Sequence, residues 1–124
     1  MAKTILIVDD SATMILSVKS TLDMAGFQVE TARDGLLALK KLQEGLKPDL
    51  IITDVNMPNM DGMELIRQVR RLPGFRFLPI LTLTTESQAA KRDEGRQAGA
   101  TGWLVKPVTG PDLVKVIRQV VHGA

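Results

Sequence analysis

Five short apolar runs, each stopped by polar residues and followed by a segment with helical spacing, constrain this chain more than any other feature. Ile5-Leu6-Ile7-Val8 ends in Asp9-Asp10, and Leu50-Ile51-Ile52-Thr53 ends in Asp54. Pro79 to Leu83 ends at Thr84-Thr85, and Gly102 to Val105 ends at Lys106-Pro107. Phe27 to Ala32 is a fifth run, less apolar, carrying Gln28 and Glu30. Runs this short, rich in β-branched and aliphatic residues, predict strands, and the most apolar of them predict fully buried ones.

Between the strands the period changes. After Ser11, which can cap a helix, Met14, Ile15, Val18, Leu22 and Ala25 recur at helical spacing until Gly26 stops them. Asp34-Gly35 opens a second helix bearing Leu36, Leu39 and Leu42, closed by Gly45. Asp61-Gly62-Met63-Glu64 has the spacing of a capping box before Leu65, Ile66 and Val69. The fourth helix, from about Ser87 to Ala98, is almost wholly polar plus alanine and contains Gly95. Glycine there costs about 1 kcal/mol relative to alanine, so this helix is expected to be the least firmly held. Pro111 suits the first turn of a last helix carrying Leu113, Val116, Ile117 and Val120.

Strand–helix alternation with short connections implies one α/β domain spanning residues 1–124, a doubly wound (βα)5 parallel sheet covered on both faces. Right-handed crossovers then bring the C-terminal end of every strand to one rim. The weakly apolar second strand fits an edge, giving the order 2-1-3-4-5 with the crevice between strands 1 and 3. That rim collects Asp9, Asp10, Asp54, Thr84 and Lys106. Carboxylates so close repel one another unless a cation joins them, and an all-oxygen set with room for water and phosphate suits Mg²⁺ better than zinc. Lys106 adds positive charge, Thr84 a hydroxyl, and Asp54 can act as a nucleophile that becomes an aspartyl phosphate. Each residue alone has an ordinary explanation as cap, turn former, surface charge or strand residue. Their arrival at four strand ends on one rim does not.

Other classes fit poorly. The net charge is +2 and aromatic residues make up 3% of the chain, so no nucleic-acid surface is indicated. There is no cysteine, hence no disulfide framework or thiolate chemistry. Met1-Ala2-Lys3-Thr4 leads straight into a strand without a secretory pattern, and no apolar run would span a bilayer. The expectation is a cytoplasmic protein bound to neither nucleic acid nor membrane.

These motifs resemble the receiver domain of two-component response regulators over the whole chain. The resemblance rests on Val8-Asp9-Asp10-Ser11, Asp54-Val55-Asn56-Met57-Pro58-Asn59-Met60-Asp61-Gly62, Leu83-Thr84-Thr85-Glu86 and Gly102-Trp103-Leu104-Val105-Lys106-Pro107. It implies a flavodoxin-like fold with Asp54 as phosphoacceptor for a histidine kinase. It implies Mg²⁺ held by Asp9, Asp10, Asp54 and the Asn56 carbonyl, Lys106 on the phosphoryl group, and a cis bond before Pro107. Thr84 and the aromatic Trp103 would move on activation. Within the family the chain is most similar to single-domain chemotaxis regulators of the CheY type, from its Asn56 and Glu86 pair and its Thr-Thr-Glu-Ser and Gly-Ala-Thr-Gly-Trp wording. Partners implied are a CheA-like kinase, a flagellar switch or other protein target, and a phosphatase, acting on a monomer. The alternative output is a phosphate sink draining a shared kinase.

Two positions depart from the usual pattern. Trp103 replaces the more usual tyrosine or phenylalanine, and an indole is expected to hinder full inward rotation. Thr85 is larger than the alanine or glycine often found there, which is expected to slow access to Asp54. Two other classes are disfavoured. An aspartate-nucleophile phosphohydrolase would need an acid where Asn56 stands, so the chain is read as a signalling module rather than an enzyme. A flavodoxin-type cofactor binder would need a phosphate-cradling loop after the first strand, where Asp9-Asp10 would repel phosphate. His122 is expected to be solvated.

Overall fold

The computed structural model describes residues 2–123, so the two end residues of the expected 1–124 domain lie outside it. The elements alternate as β1 (Thr4–Val8), α1 (Ala12–Met24), β2 (Gln28–Ala32), α2 (Gly35–Gln43), β3 (Leu50–Thr53), α3 (Gly62–Arg71), β4 (Ile80–Thr84), α4 (Ala89–Ala98), β5 (Gly102–Val105) and α5 (Gly110–Val120). All strand pairs are parallel and the sheet order is β2-β1-β3-β4-β5, as the sequence predicts. Among the described residues no helix is long and apolar enough to cross a membrane.

Side chains of a strand alternate between faces, so each central strand feeds two cores. Ile5, Ile7, Leu50, Ile52, Leu81 and Leu83 point to one face, where Ile15, Val18 and Leu22 of α1 and Leu113 and Ile117 of α5 cover them. Leu6, Val8, Ile51 and Ile80 point to the other, under Ala38 and Leu42 of α2 and Leu65, Ile66 and Val69 of α3. A fully buried Ile or Leu contributes about 1.5–3 kcal/mol. Those two layers outweigh any single helix preference.

Local signals meet mixed outcomes. Ser11 caps α1 by accepting from Met14 N at 3.2 Å. Asp61 caps α3 by accepting from Glu64 N at 2.9 Å. The reciprocal half of a capping box is not made, because Glu64 turns along the helix to accept from Gln68 Nε2 at 2.8 Å. Leu36 does not join the α2 stripe: it is 49% exposed beside Leu37, while Ala38 takes the buried place. The helix starts at Gly35 under Met60, and that start rotates Leu36 outward. Phe27 precedes β2 rather than joining it, and is buried in the α1-side core. Helix α4 begins at Ala89, two residues later than predicted, after a Gln88 that makes no side-chain cap bond.

Candidate functional site

Strand register builds the site. Val8 of β1 lies opposite Thr53 of β3, so the next residues, Asp9 and Asp54, leave the sheet side by side. Thr84 lies opposite Val105, which places Lys106 one step past the end of β5, with Lys106 N donating to Thr84 O at 2.8 Å. The Lys106-Pro107 peptide is cis, as the resemblance implies.

Asp9, Asp10 and Asp54 each bring a carboxylate oxygen within 4.8 Å of the others. Asp9 is buried, Asp54 is half-buried and Asp10 is exposed. The Lys106 ammonium donates to Asp9 Oδ2 at 3.1 Å and reaches Asp54 Oδ2 at 3.5 Å. The remaining oxygens are partly engaged: Asp9 Oδ1 accepts from Ser11 N at 2.9 Å, and Asp54 Oδ1 from Val55 N at 2.7 Å. Lys106 pairs with two of the three acids, and the cluster keeps negative charge that favours a further cation. The donor set is entirely oxygen and one member is open to solvent, which fits a hard divalent ion that keeps some of its water.

Backbone segments approach closely behind Asp54. The Asp54 carbonyl accepts from the Thr53 hydroxyl at 2.8 Å, and Gly62 N donates to Val55 O at 2.8 Å. A Cβ on Gly62 would fall 2.1 Å from the Asp54 carbonyl oxygen. Only glycine allows α3 to start this close.

Thr84 is fully buried, and its Oγ1 accepts from Glu86 N at 3.2 Å. The Glu86 carbonyl in turn accepts from Trp103 Nε1 at 2.9 Å. Thr84 and Trp103 are therefore linked through the two ends of the Glu86 residue. Asn56 and Thr85 stand exposed on the rim loops, and Glu86 is half-buried. His122 is exposed, as expected.

Sequence reasoning placed Asp34 at the start of α2 but missed its bond to Asn59 and the supports from Arg33 and Arg70. Arg33 Nη2 donates to the Asp10 carbonyl at 2.8 Å, tying the β2–α2 loop to the acidic turn. Asp34 is buried, and its side chain accepts from Leu37 N at 2.8 Å and from Asn59 Nδ2 at 2.8 Å. Those bonds hold its carboxyl below the ordinary carboxylate value, the Leu37 amide contributing most, then Asn59. Asn59 itself lies in the left-handed region at φ 67°, in the loop that follows Asp54. Arg70 donates to the carbonyls of Phe75, Leu78 and Gly99 at 2.6–3.1 Å, pinning the end of α4 to the α3–β4 loop. An arginine in a run of basic residues carries no local sign of such a role.

The profile of the response regulator receiver domain matches residues 5–118. The chain belongs to the response regulator receiver domain family. It is 38% identical over 120 residues to chemotaxis protein CheY1 of Helicobacter pylori, covering 96% of each chain. The structure of Vibrio cholerae chemotaxis protein CheY4 superposes with a TM-score of 0.93 at 46% identity, over 98% of this chain and 100% of that one. The receiver unit also occurs inside longer proteins: the chain is 44% identical over 124 residues to the sensor protein EvgS of Escherichia coli, spanning 10% of it. By these relatives it is a CheY-type receiver.

Proposed function

We propose that the chain is a phosphorylation-controlled signalling protein that accepts a phosphoryl group on Asp54 from a histidine kinase of the chemotaxis type. The observation that carries this reading is Asp54 itself: half-buried, 3.5 Å from the Lys106 ammonium and clustered with Asp9 and Asp10. Asp54 Oδ1 accepts from the Val55 amide and Oδ2 faces Lys106, so attack by Oδ2 would set the phosphoryl oxygens beside the ammonium. In the step, a new oxygen–phosphorus bond forms at Asp54 while the nitrogen–phosphorus bond of the kinase phosphohistidine breaks. The imidazole leaves with the bonding electrons and takes up a proton. Lys106 neutralises charge on the moving phosphoryl oxygens.

Asp9, Asp10, Asp54 and the Asn56 carbonyl are the groups that would hold Mg²⁺, which supplies charge neutralisation when bound. Thr84 then has a new partner. Its hydroxyl, now an acceptor from Glu86 N, can turn to donate to a phosphoryl oxygen, which releases the Glu86 amide. Trp103, bonded to the same residue's carbonyl, receives the displacement. The output surface is then α4, β5 and α5, where a cavity of about 320 Å³ lined by Arg92, Arg96 and Trp103 opens beside the indole. The partner at that surface is a flagellar switch or another protein of chemotaxis. Exposed Asn56 and Thr85, with Glu86, set how water or a phosphatase reaches the acyl phosphate. The protein works in the cytoplasm as a monomeric switch, and its only chemistry is on its own carboxylate.

Phosphotransfer from a phosphorylated chemotaxis kinase tests the reading. Label should move to this chain only with Mg²⁺, be released by hydroxylamine as an acyl phosphate is, and be absent from Asp54→Asn. Transfer to Asp54→Asn at the parental rate would overturn it.

A further inference from the structure

The position that looked weakest in the sequence has a specific use. Gly95 is the one buried residue of α4, and a Cβ built on it would lie 2.6 Å from Trp103 Cζ3 and 2.9 Å from Cε3. The six-membered ring of the indole therefore rests directly on the helix backbone. Its other edge is fixed too, because Nε1 donates to the Glu86 carbonyl at 2.9 Å. The ring thus bridges α4 and the β4–α4 loop. Around it α4 is unevenly held. Its first turn has no side-chain cap, whereas its end is pinned by Arg70 at the Gly99 carbonyl, with Nη2 at 2.7 Å.

We propose that Gly95 and Trp103 are a matched pair: the glycine is the position that admits an indole at residue 103, and the seated indole couples the Glu86 peptide to helix α4. A side chain at 95 would evict the ring, since neither a helix backbone nor a bonded indole yields by several tenths of an ångström without losing a contact. The large ring stays in its notch, and a shift of Glu86 is delivered to the uncapped end of α4 about its Arg70-pinned end. Conformational signalling through the pair rests on the proposed phosphorylation of Asp54. The pairing itself does not.

The test is a double-mutant cycle in the unphosphorylated protein, using Gly95→Ala, Trp103→Ala and both, read by urea unfolding. Alanine should stabilise a helix over glycine by roughly fivefold in the folding equilibrium. That gain is expected only in the Trp103→Ala background, with Gly95→Ala destabilising the parent. Equal stabilisation in both backgrounds would overturn the pairing. Acrylamide quenching gives a native-state readout, since Trp103 is the single tryptophan. Quenching should rise in Gly95→Ala at unchanged far-ultraviolet dichroism, and unchanged quenching would contradict an evicted ring. For the coupling, acetyl phosphate and Mg²⁺ should give the same Asp54 adduct by mass in parent and Gly95→Ala. Amide exchange in α4 should respond to it only in the parent. An equal response in both overturns the coupling, whereas an absent adduct in both overturns the phosphoacceptor reading and leaves the cycle to decide the pairing.

Discussion

Replacing Gly62 by alanine should damage both stability and the phosphoacceptor, for one geometric reason. The added Cβ would fall 2.1 Å from the Asp54 carbonyl oxygen and 3.0 Å from both the Asp54 carbonyl carbon and Val55 Cα. An acceptable carbon–oxygen approach is about 3.3 Å, so α3 and the end of β3 must separate by about 1.2 Å. Every obstructing atom is backbone, and no flexible side chain can give way. The Gly62 N to Val55 O bond, now 2.8 Å, would stretch past useful length. Losing it costs about 0.5–1.5 kcal/mol. Overpacking costs about 1–3 kcal/mol. Alanine's helix preference returns at most about 1 kcal/mol. The net expectation is a loss of about 2–3 kcal/mol, a large part of the roughly 5–15 kcal/mol holding such a domain together. Urea unfolding should show the midpoint falling by about 1–2 M at an unchanged slope. Asp54 leaves the same strand end, so the rate of adduct formation from acetyl phosphate should fall in the folded fraction. A midpoint within about 0.3 M of the parent, with a parental phosphorylation rate, would refute the close-approach argument.

Arg70→Ala should cost about 2–3 kcal/mol by urea unfolding, since it strips charged donors from the carbonyls of Phe75, Leu78 and Gly99. Arg70→Lys should recover little of it, because a single ammonium cannot reproduce the guanidinium fork. Asp34→Asn should lower stability at neutral pH, and its difference from the parent should shrink as pH falls. The folded carboxyl titrates below its unfolded value of about 4, so its contribution is complete above that pH and fades as pH drops through the lowered value. A difference that stays constant down to about pH 2 would contradict this assignment. Thr84→Ala should still accept a phosphoryl group by mass while Trp103 fluorescence no longer responds, as the hydroxyl link to Glu86 N is gone. Thr85→Ala should phosphorylate faster than the parent, and equal rates would contradict the steric role given to the exposed threonine.

The legible parts of this protein were those written in local pattern. Alternating apolar runs and helical stripes name the elements, and the polar strand end after each run names Asp9, Asp54, Thr84 and Lys106. Register then needs no further information, because parallel strands with a shared rim bring those ends together. Asp54 and Lys106 are 52 residues apart in sequence, yet their meeting follows from strand order alone. Interactions that depend on how one loop lies over another were not legible. Arg70 reads as one of several surface arginines, and only the fold shows it reaching Gly99, 29 residues away. Gly95 reads as a flaw in a helix, because propensity counts what an isolated helix loses and not the ring that fills the space. Leu36 misled for a similar reason: apolar spacing marks a stripe, but the helix start at Gly35 decides which residues of the first turn face inward.

The most direct measurement is the intact mass of the protein after acetyl phosphate treatment, with Mg²⁺ and with chelator, beside Asp54→Asn. A single phosphoryl adduct that requires Mg²⁺ and is absent from Asp54→Asn is the predicted result. An adduct that survives the Asp54→Asn substitution, or none in the parent with either acetyl phosphate or a phosphorylated kinase, would contradict the account and leave a receiver fold without its switch.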